Sequence, residues 1–183
     1  MIRCIFITLL TGIISCSPIY AKNFATRMIE STFKLYHKDS TATCFLVNGD
    51  AQSDKDSLYL VTAAHVLERV KGETAIIVLR KKKDDGSYAR HDHTIKIRNG
   101  DKALWLKHKV HDLAVVKLTK PLPVPTEALP FSAIADEKSI KASELQLGST
   151  IFLLTYPERL EANKAGFPIA RRSIVSSYPI LPI

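Results

Sequence analysis

From residue 31 to residue 118 the apolar residues of this chain come in short runs, many of them alternating and rich in β-branched side chains. Each run is stopped by turn residues, and this pattern constrains the fold more than any other feature. Alternation puts successive side chains on opposite faces of an extended chain, which suits a half-buried strand and not a helix. The segments that fit are STFKLYHK (31–38), ATCFLVNG (42–49), SLYLVTAA (57–64), TAIIVLRKK (74–82), YARHDHTIKIR (88–98) and DLAVVKL (112–118). DDGS (84–87) and NGD (99–101) supply turns between them, and AAHVLERV (63–70) allows one or two helical turns before Gly72. Closely spaced antiparallel strands of this kind favour a small closed barrel, which leaves no strand with an unpaired edge. The expectation is an all-β fold with a complete first β-barrel over residues 22–118.

The texture then changes. TKPLPVPTEALP (119–130) carries four prolines and cannot donate steadily to a sheet, so residues 119–144 read as an extended linker. LGSTIFLLTYP (147–157) and FPIARRSIVSSYP (167–179) read as strands of a second unit, residues 145–183. Two strands do not close a second barrel. Open edges and exposed apolar runs such as IFLLTY then predict poor solubility.

The first 21 residues differ in kind. MIRCIFITLLTGIISCSPIYA has a short basic start, an apolar middle and small residues at its end, the pattern of a signal peptide too short to span a bilayer comfortably. IISC (13–16) matches a bacterial lipobox, with Cys16 as the lipidated new N-terminus; IYA (19–21) offers an ordinary cleavage site instead. Either places the chain outside the cytoplasm, in a bacterial periplasm or envelope, and touches a membrane only through an N-terminal lipid. Cys4 leaves with the leader and Cys16 leaves or is acylated, so Cys44 has no partner and reads as a small buried hydrophobe. The formal charge of +8 is basic but scattered. Its densest run, RKKKDDG (80–86), reads as a solvated hairpin tip and not as a nucleic-acid patch, because two aspartates follow at once and no aromatic-rich basic motif accompanies it.

Two ionisable residues stand at strand borders. LYLVTAAHVLE (58–68) ends an apolar run in two alanines and then His65; HDLAVVKL (111–118) opens another with Asp112. A histidine at a strand end, entering a helical turn, is held by rigid backbone yet faces solvent. A carboxylate from a neighbouring strand can bond one ring nitrogen, fix the tautomer and stabilise the imidazolium, which frees the other nitrogen as general base.

LVTAAHV and HDLAVVKL resemble the histidine and aspartate motifs of trypsin-like serine peptidases of the chymotrypsin clan. TATCFLVNG is similar to the small-residue stretch that precedes the clan's second strand, and LGSTIFLLTYP and RRSIVSS resemble the first strands of its second barrel in bacterial members. The resemblance runs over roughly residues 31–179. It implies a chymotrypsin-like double β-barrel with an active site in the cleft between barrels, a polypeptide substrate, no cofactor, His65 as general base and Asp112 as its orienting partner. It also implies a serine in a glycine-rich turn, whose N–H groups form the oxyanion hole. The sequence has no such stretch. Ser149, Ser173, Ser176 and Ser177 stand earlier than that loop and read as strand or turn serines. The expectation is a chain truncated before its nucleophile and inactive alone. Two other readings stand beside it: a non-catalytic relative that binds peptides or partners, and a metal site built from His91, His93, His108 and His111, whose lysine and arginine neighbours disfavour a cation.

Overall fold

The computed structural model describes residues 23–38, 40–50, 52, 54 and 56–178. The expected leader and its Cys16 lie outside the described residues.

The chain enters through helix α1 (Phe24–Ser31), capped by Asn23, whose side chain accepts the Thr26 N–H at 2.8 Å. It continues into β1 (Thr32–His37), β2 (Ser40–Asn48) and β3 (Leu58–Thr62), a short helix α2 (Ala64–Arg69), and the long hairpin β4 (Thr74–Lys82) and β5 (Tyr88–Lys96). Two-residue strands β6 (Arg98–Asn99) and β7 (Lys102–Ala103) form a tight turn before β8 (Trp105–Lys107) and β9 (Ala114–Leu118). Helix α3 (Glu137–Ala142) and the pair β10 (Thr150–Thr155) and β11 (Ile169–Ile174) follow.

β1–β5, β8 and β9 make one seven-stranded sheet in the order β5-β4-β1-β2-β3-β9-β8, antiparallel throughout. Its two end strands, β5 and β8, are separated along the chain only by the two-residue strands β6 and β7. They are joined through residues 97–104, where Leu104 N–H bonds Ile97 O at 2.9 Å, and no ladder pairs them among the described residues. One side-chain set faces inward: Phe33 and Leu35 of β1, Cys44 and Leu46 of β2, Leu60 of β3, Ala75, Ile77 and Leu79 of β4, Ala114 and Val116 of β9, all at most 1 % exposed. These are alternate positions along each strand, as a period of two requires. The protein is mostly β with few helices, in keeping with the all-β chymotrypsin-like fold expected. The short strand β8 and helix α1 were not anticipated; three residues are too few to display an alternation.

The proline-rich segment docks on the first sheet. Leu129 exchanges main-chain bonds with β2, donating to Leu46 O and accepting from Asn48 N–H, each at 2.8 Å, and Val124, Ala128 and Leu129 are buried. β10 and β11 form a separate two-stranded ribbon that keeps Phe152 and Leu153 exposed.

Strand β4 is buried on both faces between Ile77 and Arg80, and here the expected solvated run needs correction. Lys81, Lys82, Lys83, Asp84 and Asp85 are exposed, but Arg80 is only 5 % exposed. Its period places it on the sheet's outer face, which the chain from 156 to 167 covers. Its Nη1 donates to Gly166 O (3.1 Å) and its Nη2 to Glu30 O (2.8 Å), Thr32 O (2.9 Å) and Ile29 O (3.2 Å). The guanidinium lies between the Phe33 and Phe167 rings, 4.3 Å from each centroid. A planar fork of donors suits several carbonyls and two aromatic faces at once. Gly166 carries φ +87°, and a Cβ there would lie 2.5 Å from Val78 Cγ1, so only glycine lets the loop come this close. A second clasp is ionic. Glu161 accepts from Lys34 Nζ and Arg90 Nη1, both at 2.8 Å, while Arg90 Nε also donates to Asp92 at 2.7 Å. Burial pushes the Glu161 carboxyl up, but the donors from Lys34 and Arg90 outweigh it and hold the group below its ordinary value.

Replacing Arg80 by alanine strips buried carbonyls of their donor and empties the space between two rings. Such losses cost about 3 kcal/mol. Urea unfolding of Arg80→Ala is expected to show that loss, with Arg80→Lys in between because a single ammonium cannot span the acceptors; an unchanged midpoint for the alanine variant would refute the clasp.

Candidate active site

Antiparallel pairing of β3 with β9 sets Thr62 opposite Ala114. The chain leaves β3 there into α2, and enters β9 there from the loop 108–113, so residues just beyond both strand ends share one end of the sheet. His65 is the second residue of α2 and Asp112 stands two residues before β9. One carboxylate oxygen, Oδ1, accepts the His65 main-chain N–H at 2.9 Å; the other, Oδ2, pairs with His65 Nδ1. The first N–H groups of any helix lack intrahelical acceptors, and the N-cap of α2 is Ala63, which has no side chain to offer. Asp112 therefore serves as a cap delivered from 47 residues away, and holds the ring and the backbone that carries it together.

An ionised carboxylate only accepts, so the bonded Nδ1 carries the proton and Nε2 presents its lone pair. The bond from the His65 main-chain N–H, and then the bond to its ring, hold the Asp112 carboxyl below its ordinary value. About half of each side chain is open to solvent, 48 % for His65 and 53 % for Asp112. The arrangement can orient a base and neutralise its positive charge. Among the described residues no hydroxyl bonds Nε2.

Helix α2 is tethered at its far side as well. Arg98 Nη2 donates to Leu67 O at 2.9 Å, and Lys107 Nζ pairs with Glu68 at 2.6 Å. Neither tether is visible in the sequence, because the partners are 31 and 39 residues apart with no motif to link them. Beside the pair, an apolar cleft of about 540 Å³ opens on the outer face of β2, β3 and β9. Phe45, Val61, Leu113 and Val115 form its floor, Phe131 and Ile134 its far wall, and Leu113 directly follows Asp112. On its rim Asp54 accepts from Ser57 Oγ (2.5 Å), the Tyr59 hydroxyl and Lys117 Nζ (3.1 Å), and these donors hold its carboxyl down to about 2.

The remaining candidates do not join the pair. His91 and His93 lie on β5 opposite Leu79 and Ile77, while the His108 and His111 rings stack on each other 4.8 Å apart in the loop before Asp112. Among the described residues no group of three or more histidine, cysteine or acidic side chains gathers around a common point. Ser149 sits in a turn, where its Oγ accepts the Gln146 N–H at 3.0 Å, and Ser173 is paired opposite Ile151 in β11. Ser176 and Ser177 follow that strand, exposed.

A group whose folded pKa is depressed stabilises its partner above the ordinary carboxylate range and loses that effect as pH falls through the lowered value. Following the Asp112 side-chain carbon by NMR should therefore give a titration midpoint below that of an unperturbed aspartate. A midpoint at or above it would mean that the carboxylate does not hold His65 in solution.

A family model for the trypsin-like peptidase domain matches residues 42–179, three quarters of the chain. No curated protein matches the chain. The matched span includes β2 and β3, the helix with His65, the loop with Asp112 and both strands of the second ribbon. The chain thus belongs to the trypsin-like peptidase domain family.

Proposed function

We propose that this domain carries the proton-handling half of a serine peptidase, with His65 as general base and Asp112 as the group that orients it, and that the chain of 183 residues is inactive by itself. The observation that carries this reading is the double grip of Asp112 on the His65 ring and main chain. A ring held in one tautomer, with Nε2 facing solvent, is ready to take a proton from a hydroxyl nucleophile. The inactive part rests on the serines: Ser149 and Ser173 are engaged in a turn and a strand, and none in the sequence stands in a glycine-rich turn that would form an oxyanion hole. The ligand is an extended polypeptide, for which the apolar cleft beside Leu113 offers a side-chain site. A non-catalytic peptide-binding role is the form this takes when no serine is supplied.

Treatment of the folded chain with a fluorophosphonate probe, read by intact mass, is expected to leave it unlabelled. A serine adduct that disappears in His65→Ala would overturn the inactive reading and show an assembled relay.

Export to a bacterial envelope is the second part of the proposal, supported by the basic start, apolar middle and IISC stretch of the first 21 residues. Mass spectrometry of the product from a bacterial membrane fraction should find a lipid-modified N-terminal Cys16 or a chain beginning after residue 21. A retained, unprocessed leader on a cytoplasmic product would sink it.

A further inference from the structure

We propose that His108 is a positioning residue for Asp112: its imidazole gathers the loop around itself and so sets the carboxylate against His65. This rests on reading the pair as base and orienting group. Asp112 rides on an excursion of six residues, 108–113, between Lys107 and Ala114, which are paired across β8 and β9. Inside that loop His108 Nδ1 accepts two main-chain N–H groups, from His111 at 3.0 Å and Val110 at 3.2 Å. The His108 N–H donates to Leu113 O and the Leu113 N–H to His111 O, each at 2.8 Å. The His111 ring stacks on His108 with 24° between planes. Main-chain groups on both sides of Asp112 are thus tied to one side chain or its backbone. Among the described residues no other side chain bonds the main chain of this loop. With Nδ1 accepting, the ring proton sits on Nε2, so His108 acts here as a neutral acceptor, in the way an asparagine side chain organises a turn.

A short, exposed loop carrying Lys109, His108 and His111 can thereby hold a carboxylate in one place. It also assigns a use to a histidine that the sequence offered only as a metal ligand.

The test reads the His65 amide, whose proton is bonded by Asp112 Oδ1 and so reports the carboxylate's position without requiring turnover. In His108→Ala, hydrogen exchange at that amide is expected to speed up about tenfold, the equivalent of two modest hydrogen bonds, with the β2–β3 ladder amides unchanged. His108→Asn supplies an acceptor at the same place and is expected to restore protection. If the alanine variant does not fold, His108→Leu keeps bulk without an acceptor and is compared with His108→Asn in the same way. Wild-type protection at His65 in the acceptor-free variant, an equal loss across β2 and β3, or failure of asparagine to restore protection would each overturn the proposal. Phosphonate labelling bears only on the peptidase reading, so the two fail separately.

Discussion

Thr62 lies opposite Ala114, and that single register decides where a histidine from one strand end and an aspartate from another meet. A slip of one residue would turn every side chain of β9 to the other face. Leu113 and Val115 would then point into the core, and Ala114 and Val116, both at most 1 % exposed, would point out. The hydrophobic core therefore specifies the register, and the register specifies the pair. The His65–Asp112 contact is itself half exposed and adds little to stability. Its geometry is maintained by buried side chains that never touch it.

The same division of labour holds across the molecule. The first sheet carries the core, and the chain after it is fastened to the outside of β1, β4 and β5 through a buried cation and a partly buried carboxylate. Arg80 draws on carbonyls from α1, from the start of β1 and from the 166 turn, so one side chain joins segments separated by more than a hundred residues. Burying a guanidinium is costly in an apolar interior, and the carbonyl dipoles and ring faces around it offset that cost. The site and this clasp stand on different strands of the sheet.

Much of this was legible in the sequence. Period-two runs located β1 to β5 and β9 nearly to the residue, because each buries one face against a shared core. The meeting of His65 with Asp112 was legible because both residues interrupt apolar runs at strand ends. What stayed hidden depends on contacts between distant positions. Arg80 looked like part of a solvated basic run because its neighbours Lys81 to Asp85 are one; only the loop that covers the outer face of β4 makes it different. The NGD turn between β6 and β7 was legible, but the contacts of Arg98 with Leu67 and of Lys107 with Glu68, which hold α2, join positions that no local pattern links. His108 drew notice for its chemistry as a ligand, whereas its contacts are to the main chain of its own loop.

Cys44 sits fully buried on β2, and burial pushes its thiol well above the ordinary range. A thiol that cannot ionise is neither nucleophile nor metal ligand, and it exchanges with disulfides only as the core opens. An accessible thiol in an unfolded chain can be captured by a passing disulfide. Once β2 has closed over it the residue is chemically silent. The folded sheet thus shields the Cys44 sulfhydryl, which an oxidant reaches only before β2 is covered or when the core opens.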